Sequence, residues 1–269
     1  MQIIRTIFFF VLVLNIQFDF VGQVLNVDRE NGLDSLDREY AFSWSAGFSL
    51  EKQQSNLLEL SSAEELDIFL PKDYVLILLG NTEIESSGAN TLENNGYFLC
   101  RLRDNDKRRV APDYFAQYQW NGVLGLTNRA LGGVNARFKF WENKESDFYY
   151  SMGTFYEYEN WDPQASSFTF DSTVSTVTRN LLRWNHRLKL AFKLSENIDF
   201  ATSNFVQLPL NENFSNIYKP RWAMNASIFF KLNEFLNLSW EYDHNLDFYR
   251  ALPIDLYYYN ISVELQLNL

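Results

Sequence analysis

Tyr257-Tyr258-Tyr259-Asn260-Ile261-Ser262-Val263-Glu264-Leu265-Gln266-Leu267-Asn268-Leu269 alternates almost without a break. Tyr257, Tyr259, Ile261, Val263, Leu265, Leu267 and Leu269 are apolar, and the residues between them are mostly polar. A period of two sends successive side chains to opposite faces of a strand, so this stretch reads as a ribbon with one greasy face. The segment 40–50 repeats the pattern: Tyr40, Phe42, Trp44, Ala46, Phe48 and Leu50 point one way, and Ala41, Ser43, Ser45, Gly47 and Ser49 the other.

Working outward, similar alternation occurs near 56–70, 74–83, 94–103, 113–121, 123–141, 146–161, 175–194, 197–208, 217–231 and 234–247, which with 40–50 and 256–269 makes twelve segments. The predicted connections sort by length. Short turns at 71–73, 104–108, 142–145, 195–196 and 232–233 alternate with longer links at 84–93, 162–174, 209–216 and 248–255, the exceptions being tips near 51–55 and 121–122. Short turns on one side and longer loops on the other mark an up-and-down transmembrane barrel; a soluble sandwich has no reason to sort its loops this way. A span without unpaired backbone groups requires closure, and twelve strands can supply it. The predicted fold is therefore an all-β, up-and-down antiparallel transmembrane barrel of about twelve strands over residues 39–269.

Composition agrees. Of 269 residues, 46% are apolar and 17% aromatic, which excludes a disordered chain. A formal net charge of −11 argues against phosphate-backbone binding, so no nucleic-acid partner is expected. A lone Cys100 and two histidines offer no zinc spacing, and no cofactor or metal is predicted. Residues 1–22 carry Arg5, the apolar run Ile7 to Leu14 and Gly22, the layout of an export signal peptide. Residues 23–38 are polar and aperiodic and read as a periplasmic lead-in. An even strand count then puts both chain ends on the short-turn, periplasmic side of a Gram-negative outer membrane.

Aromatic side chains at the strand ends fit girdles at the two headgroup levels: Trp120, Trp161, Trp222, Tyr257 and Tyr259 at the long-loop end and Trp141 at the other. Lipid and lipopolysaccharide are the implied surroundings. Two strands resist a clean reading. In 56–70, Ser62 and Glu64 share a face with Leu58, Leu60, Leu66 and Ile68, which calls for a β-bulge near Ala63-Glu64 or an upper strand outside the lipid. In 74–83 both faces are apolar between Tyr74 and Leu79.

The stretches Asn94-Asn95-Gly96-Tyr97, Phe115 to Gly122, Arg129 to Phe138 and Tyr156-Glu157-Tyr158-Glu159 resemble the YdiY-like, salt-induced outer-membrane protein family. The resemblance spans roughly 40–269 and implies an outer-membrane barrel expressed under salt or osmotic stress, without an established substrate, catalytic residue or cofactor. The C-terminal strand, with Tyr259, Ile261, Val263, Leu265, Leu267 and Leu269, also looks like an insertion signal read by the barrel-assembly machinery, with Leu269 where a terminal Phe is common.

One constellation carries chemistry. Parity places Arg129, Arg137 and Lys139 on the inner face of one strand, Glu157 and Glu159 on the next, and Arg179, Arg183, Arg187 and Lys189 on the third. A turn centred between Asn143 and Lys144 brings Arg129 within one position of both glutamates. Such a charged wall can act as a filter for an anionic solute, or as a salt-bridge plug that fills the lumen. His186 falls on the apolar face, and His244 sits beside Asp243 with Asp247 nearby; neither builds a convincing hydrolase or metal site. Loop carboxylates Glu83, Glu85 and Glu93 could meet divalent cations at the headgroups. The expected role is a non-enzymatic narrow pore or structural envelope protein. A hydrolase acting on lipid or peptide, and a docking barrel for a periplasmic or surface partner, are the alternatives. No feature of the sequence sets an oligomeric state.

Overall fold

A computed structural model describes residues 39–52, 56–87, 90–104, 109–143, 145–166, 175–210, 219–233, 236–248, 251–252 and 257–267. The expected signal peptide, the lead-in and Leu269 lie outside these residues. Twelve strands follow one another: β1 (Tyr40–Lys52), β2 (Asn56–Leu70), β3 (Tyr74–Ser87), β4 (Asn90–Asp104), β5 (Val110–Asn121), β6 (Leu126–Glu142), β7 (Ser146–Trp161), β8 (Val177–Ser195), β9 (Ile198–Pro209), β10 (Arg221–Lys231), β11 (Leu236–Asp247) and β12 (Tyr257–Leu267). Each pairs antiparallel with its sequence neighbour in the order β1 to β12, the up-and-down barrel topology the alternation predicts. The sheet curls on itself so that inner side chains of β7 meet those of β10.

Alternation decides what faces where. Many even-numbered large residues of the first eight strands stand outward: Phe42, Phe98, Tyr114, Tyr118, Val134, Tyr156, Leu182 and Leu188 are all exposed, whereas Leu126, beyond a register shift at the start of β6, is buried. On β12, Tyr257, Tyr259, Ile261 and Val263 are exposed as well. A band of this extent is far beyond the scattered apolar surface of a water-soluble monomer. Inward residues are polar yet buried, among them Arg129, Asn135, Arg137, Ser151, Asn185 and Arg187. β1 pairs with β2 along one side, and its aromatic residues are the most open: Phe48 is 70% and Tyr40 66% exposed.

Four expectations need correction. The 84–93 link is mostly strand: β3 runs to Ser87 and β4 begins at Asn90, with a register shift at Glu85/Ser86. Glu83 and Glu85 therefore sit in a strand, not in a cation-binding loop. β2 shows no bulge near Ala63-Glu64, because its pairing with β1 and β3 is continuous. Glu64 faces outward and is partnered on the sheet surface. Trp44 Nε1 donates to Ser62 Oγ at 3.2 Å, Ser62 Oγ donates to Glu64, and Gly80 leaves the carboxylate room. Trp161 is 1% exposed and points inward, as its parity with Glu157 and Glu159 demands; it belongs to no lipid girdle. Finally, 122–125 is a turn, in which Gly125 takes φ +78° and a Cβ would come within 2.6 Å of Asp162 O.

Trp141 faces out for a different reason. A register shift between Lys139 and Trp141 turns the strand end, so that Phe140 and Trp141 are both exposed, at 63% and 61%.

Among the glycines of the described strands, Gly153 has the tightest surroundings. A Cβ on Gly153 would lie 2.0 Å from Val134 O and 2.6 Å from Asn135 Cα, both backbone atoms. Gly132 has only Phe115 O, at 3.7 Å. Gly153→Val is expected to lose about 1–3 kcal/mol of unfolding free energy in urea titrations, by overpacking. Gly132→Ala is expected to change it by less than about 0.5 kcal/mol, as an unconstrained surface substitution.

Candidate functional site

Near its end the inner face of β7 carries Glu157 and Glu159, both with 0% exposure. A buried carboxylate is costly unless cations and hydrogen bonds replace its water. Here they come from both flanks and from across the lumen. Arg129 on β6 pairs with Glu157 and lies 3.6 Å from Glu159 Oε1. Arg183 on β8 donates to Glu157, and Arg179 Nε donates to Glu159 Oε2 at 3.1 Å. These contacts follow from register, since Arg129 and Arg179 both lie directly opposite Glu159.

The third source is Arg221, at the start of β10. Its Nη1 donates to Glu157 Oε1 at 3.1 Å, its Nη2 to Glu159 Oε1 at 3.0 Å, and its Nε to Asp247 Oδ2 on β11 at 3.0 Å. One guanidinium thus ties β7 to β10 and β11 through the interior. Glu157 Oε1 receives Arg129 and Arg221 while Oε2 receives Arg183; Glu159 Oε2 also accepts from Trp161 Nε1 at 3.2 Å. The two carboxylates are close to saturated with donors. Arg183 pays for its place: both of its terminal nitrogens are buried without a hydrogen-bond partner.

Toward the long-link end, Trp161 packs with Leu124, Leu126 and Leu252, and Val177 and Ala251 lie against them. Leu124 belongs to the β5–β6 turn and Leu252 to the β11–β12 link, so this apolar cap joins opposite sides of the barrel mouth. The Trp161 indole connects cap to knot.

The expected single charged wall is two tiers. Arg129, Arg179 and Arg183 join the glutamates. Arg137, Arg187 and Lys189 instead gather lower down, at 5.8, 5.3 and 5.4 Å from the ring centroid of Tyr149. Arg187 also lies 5.2 Å from the Phe205 ring and donates to Tyr149 Oη at 3.2 Å, while Arg137 Nη2 donates to Asp104 O at 2.6 Å. Lys139 is half-buried at the foot of β6. Sequence reasoning missed Arg221 and Asp247 as knot members, although an outward Trp222 forces Arg221 inward by parity. It also missed the pair Arg101–Asp113, joined by two bonds of 2.8 and 2.6 Å.

Both histidines face outward among aromatic rings. His186 Nδ1 lies 2.5 Å from Tyr150 Oη, and its ring 4.5 Å from Trp184. His244 packs against Trp222 at 4.6 Å and Tyr257 at 4.8 Å. Asp243 and Asp247 point inward, to Asn225 and Arg221, so His244 and these two carboxylates cannot share a metal. Of the expected girdle, Trp120 lies beside Phe98 and Tyr118 on the outward face, and Trp141, Tyr257 and Tyr259 are exposed.

No known family profile matches the chain, and no curated protein does. Two solved structures superpose on it. The NanC porin in a rhombohedral crystal form aligns with TM-score 0.43 and 11% identity, over 86% of this chain and 99% of that one. The translocator domain of the autotransporter NalP from Neisseria meningitidis aligns with TM-score 0.44 and 10% identity, over 85% of this chain and 86% of that one.

Removing one carboxylate strands several cations at once. Glu157→Ala is expected to destabilise the folded barrel by about 3–5 kcal/mol in denaturant titrations, the range for breaking a buried ion pair from one side. A loss below about 1 kcal/mol is the surface-pair value and would show the knot to be solvated.

Proposed function

We propose that this is a non-enzymatic barrel of a bacterial outer membrane whose interior is closed to bulk flow, a structural envelope protein and not an open pore. The observation that carries the reading is Arg221 reaching Glu157, Glu159 and Asp247 through the interior, with these four side chains between 0% and 7% exposed. Above this knot Trp161 packs with Leu124, Leu126 and Leu252 at the long-link end. Barrels of about eight strands are filled by side chains and those of 16–18 hold a channel, so in a twelve-stranded wall the side chains decide. Here long Arg, Glu and Trp side chains occupy the space. The outward apolar band supports a hydrocarbon surrounding, with lipopolysaccharide as the outer-leaflet neighbour. The C-terminal strand supports handling by the barrel-assembly machinery, and membership of the YdiY-like family would add a role in salt stress. Among the described residues both histidines are packed on the outward face against aromatic rings, which lends hydrolysis no support.

Two measurements test the reading. In planar bilayers the purified wild-type protein is expected to give no single-channel steps, and the double variant Trp161→Ala/Arg221→Ser is expected to give them. Stable steps from the wild type, of any size, would overturn closure in favour of a narrow pore. For the membrane placement, Leu188→Arg, on the outward face near the middle of β8, is expected to cost about 2–4 kcal/mol on unfolding from lipid vesicles, the range for Arg at a bilayer midplane. A change within about 0.5 kcal/mol is what a water-facing position gives.

A further inference from the structure

Below the knot lies a cavity of about 90 Å³ lined by residues of β4 to β9. A water's share of liquid volume is about 30 Å³, so the space suits a molecule of a few heavy atoms. Phenylalanines 115, 155 and 205, with Leu99 and Leu131, give it apolar surface. The rest of the wall is polar, and what those groups already hold decides what they still lack.

The cationic groups of the lining are engaged. Arg101 forks onto Asp113, itself a lining residue, through bonds of 2.8 and 2.6 Å. Arg129 pairs with Glu157 of the knot. Arg187 donates to Tyr149 Oη at 3.2 Å and lies over the Phe205 ring. The amides are engaged through their nitrogens: Gln117 Nε2 donates to Gln119 Oε1 at 3.2 Å, and Asn185 Nδ2 to Asn135 Oδ1 at 3.3 Å. Two oxygens stand apart. Asn185 Oδ1 and Gln207 Oε1 are buried without a hydrogen-bond partner, on residues that are 5% and 7% exposed. The two residues lie directly opposite each other on β8 and β9, so their side chains start from neighbouring points of one face. Leaving buried acceptors unmet is costly, and this pair calls for a ligand that donates at two adjacent points.

Charge narrows the class. The lining holds three guanidiniums, of Arg101, Arg129 and Arg187, against the one carboxylate of Asp113, which disfavours an ammonium. An anion brings further acceptors to a place whose unmet groups are acceptors themselves. A hydroxyl meets both conditions, because its hydrogen goes to an amide oxygen while its lone pairs face the guanidinium side. A short carbon chain covers the apolar wall, which water alone would leave wet.

We propose that this cavity binds a short neutral polyol, with two neighbouring hydroxyls donating to Asn185 Oδ1 and Gln207 Oε1 and its carbon chain against Phe155 and Phe205. The inference goes beyond the closed-interior reading and is tested apart from it, because binding is measured without a membrane and conductance plays no part.

The test is calorimetric titration of the folded full chain in detergent, with detergent alone as the blank, using four probes on one three-carbon skeleton. Propane-1,2-diol is expected to bind saturably. 1-Propanol, which lacks one donor, is expected to bind at least fivefold more weakly, and sodium lactate and the cation of 1-amino-2-propanol at least tenfold more weakly. Gln207→Met keeps the length of the side chain and removes its acceptor; with native circular dichroism retained, it is expected to lose at least fivefold in affinity for the diol. The probe series needs no variant and decides the matter even where Gln207→Met does not fold. No saturable heat from the diol would leave water as the only occupant and overturn the proposal. 1-Propanol binding as tightly as the diol, lactate or the ammonium binding as tightly or more so, or wild-type affinity in folded Gln207→Met would each overturn it as well.

Discussion

Two carboxylates, Glu157 and Glu159, sit where water cannot reach them, and much of the interior answers to that fact. A charge in such a place survives only with counter-charge and donors at short range. β7 cannot supply these alone. The donors come from β6, β8 and, across the lumen, β10. Satisfying the glutamates therefore fixes the curl of the sheet as well as the local register.

The same requirement divides the lumen into layers. Trp161, one inward position beyond Glu159, gives its indole hydrogen to the knot and its ring to Leu124, Leu126 and Leu252. On the other side, Arg129 and Phe155 both border a cavity that Asn185, Arg187 and Gln207 also line. Still lower, Tyr149 receives three cationic side chains on one ring. Outward residues obey the opposite rule. Polar groups there are few, and those present, such as Glu64 with Ser62 and Trp44, or His186 with Tyr150, bond to one another. Each face thus compensates the group that is foreign to its surroundings.

Most of the wall is legible in the sequence because parity is a local property. Period two alone orients Arg129, Glu157 and Arg183 correctly, and pairing adjacent strands across a short turn brings them together. What the sequence hides depends on breaks in parity or on closure. Trp141 turns outward through a bulge that no residue type announces. Aromatic residues at strand ends favour headgroups, which points Trp161 to a girdle, although its odd number places it with the glutamates. Arg221 is legible as inward and opposite Asp247 on the next strand, but its glutamate partners lie three strands away, and that distance is set by curvature. The 84–93 stretch read as a loop from its Ser, Asn and Glu content; pairing with the neighbouring strand overrides that preference.

The tie across the lumen is measured most directly by a double-mutant cycle on Glu157→Gln and Arg221→Gln, read as unfolding free energy in the same detergent. Residues in contact within one ion-pair network couple, and the account predicts a coupling energy of roughly 1–3 kcal/mol. Additivity within about 0.5 kcal/mol, the behaviour of independent sites, would contradict it and leave β7 and β10 as separate walls.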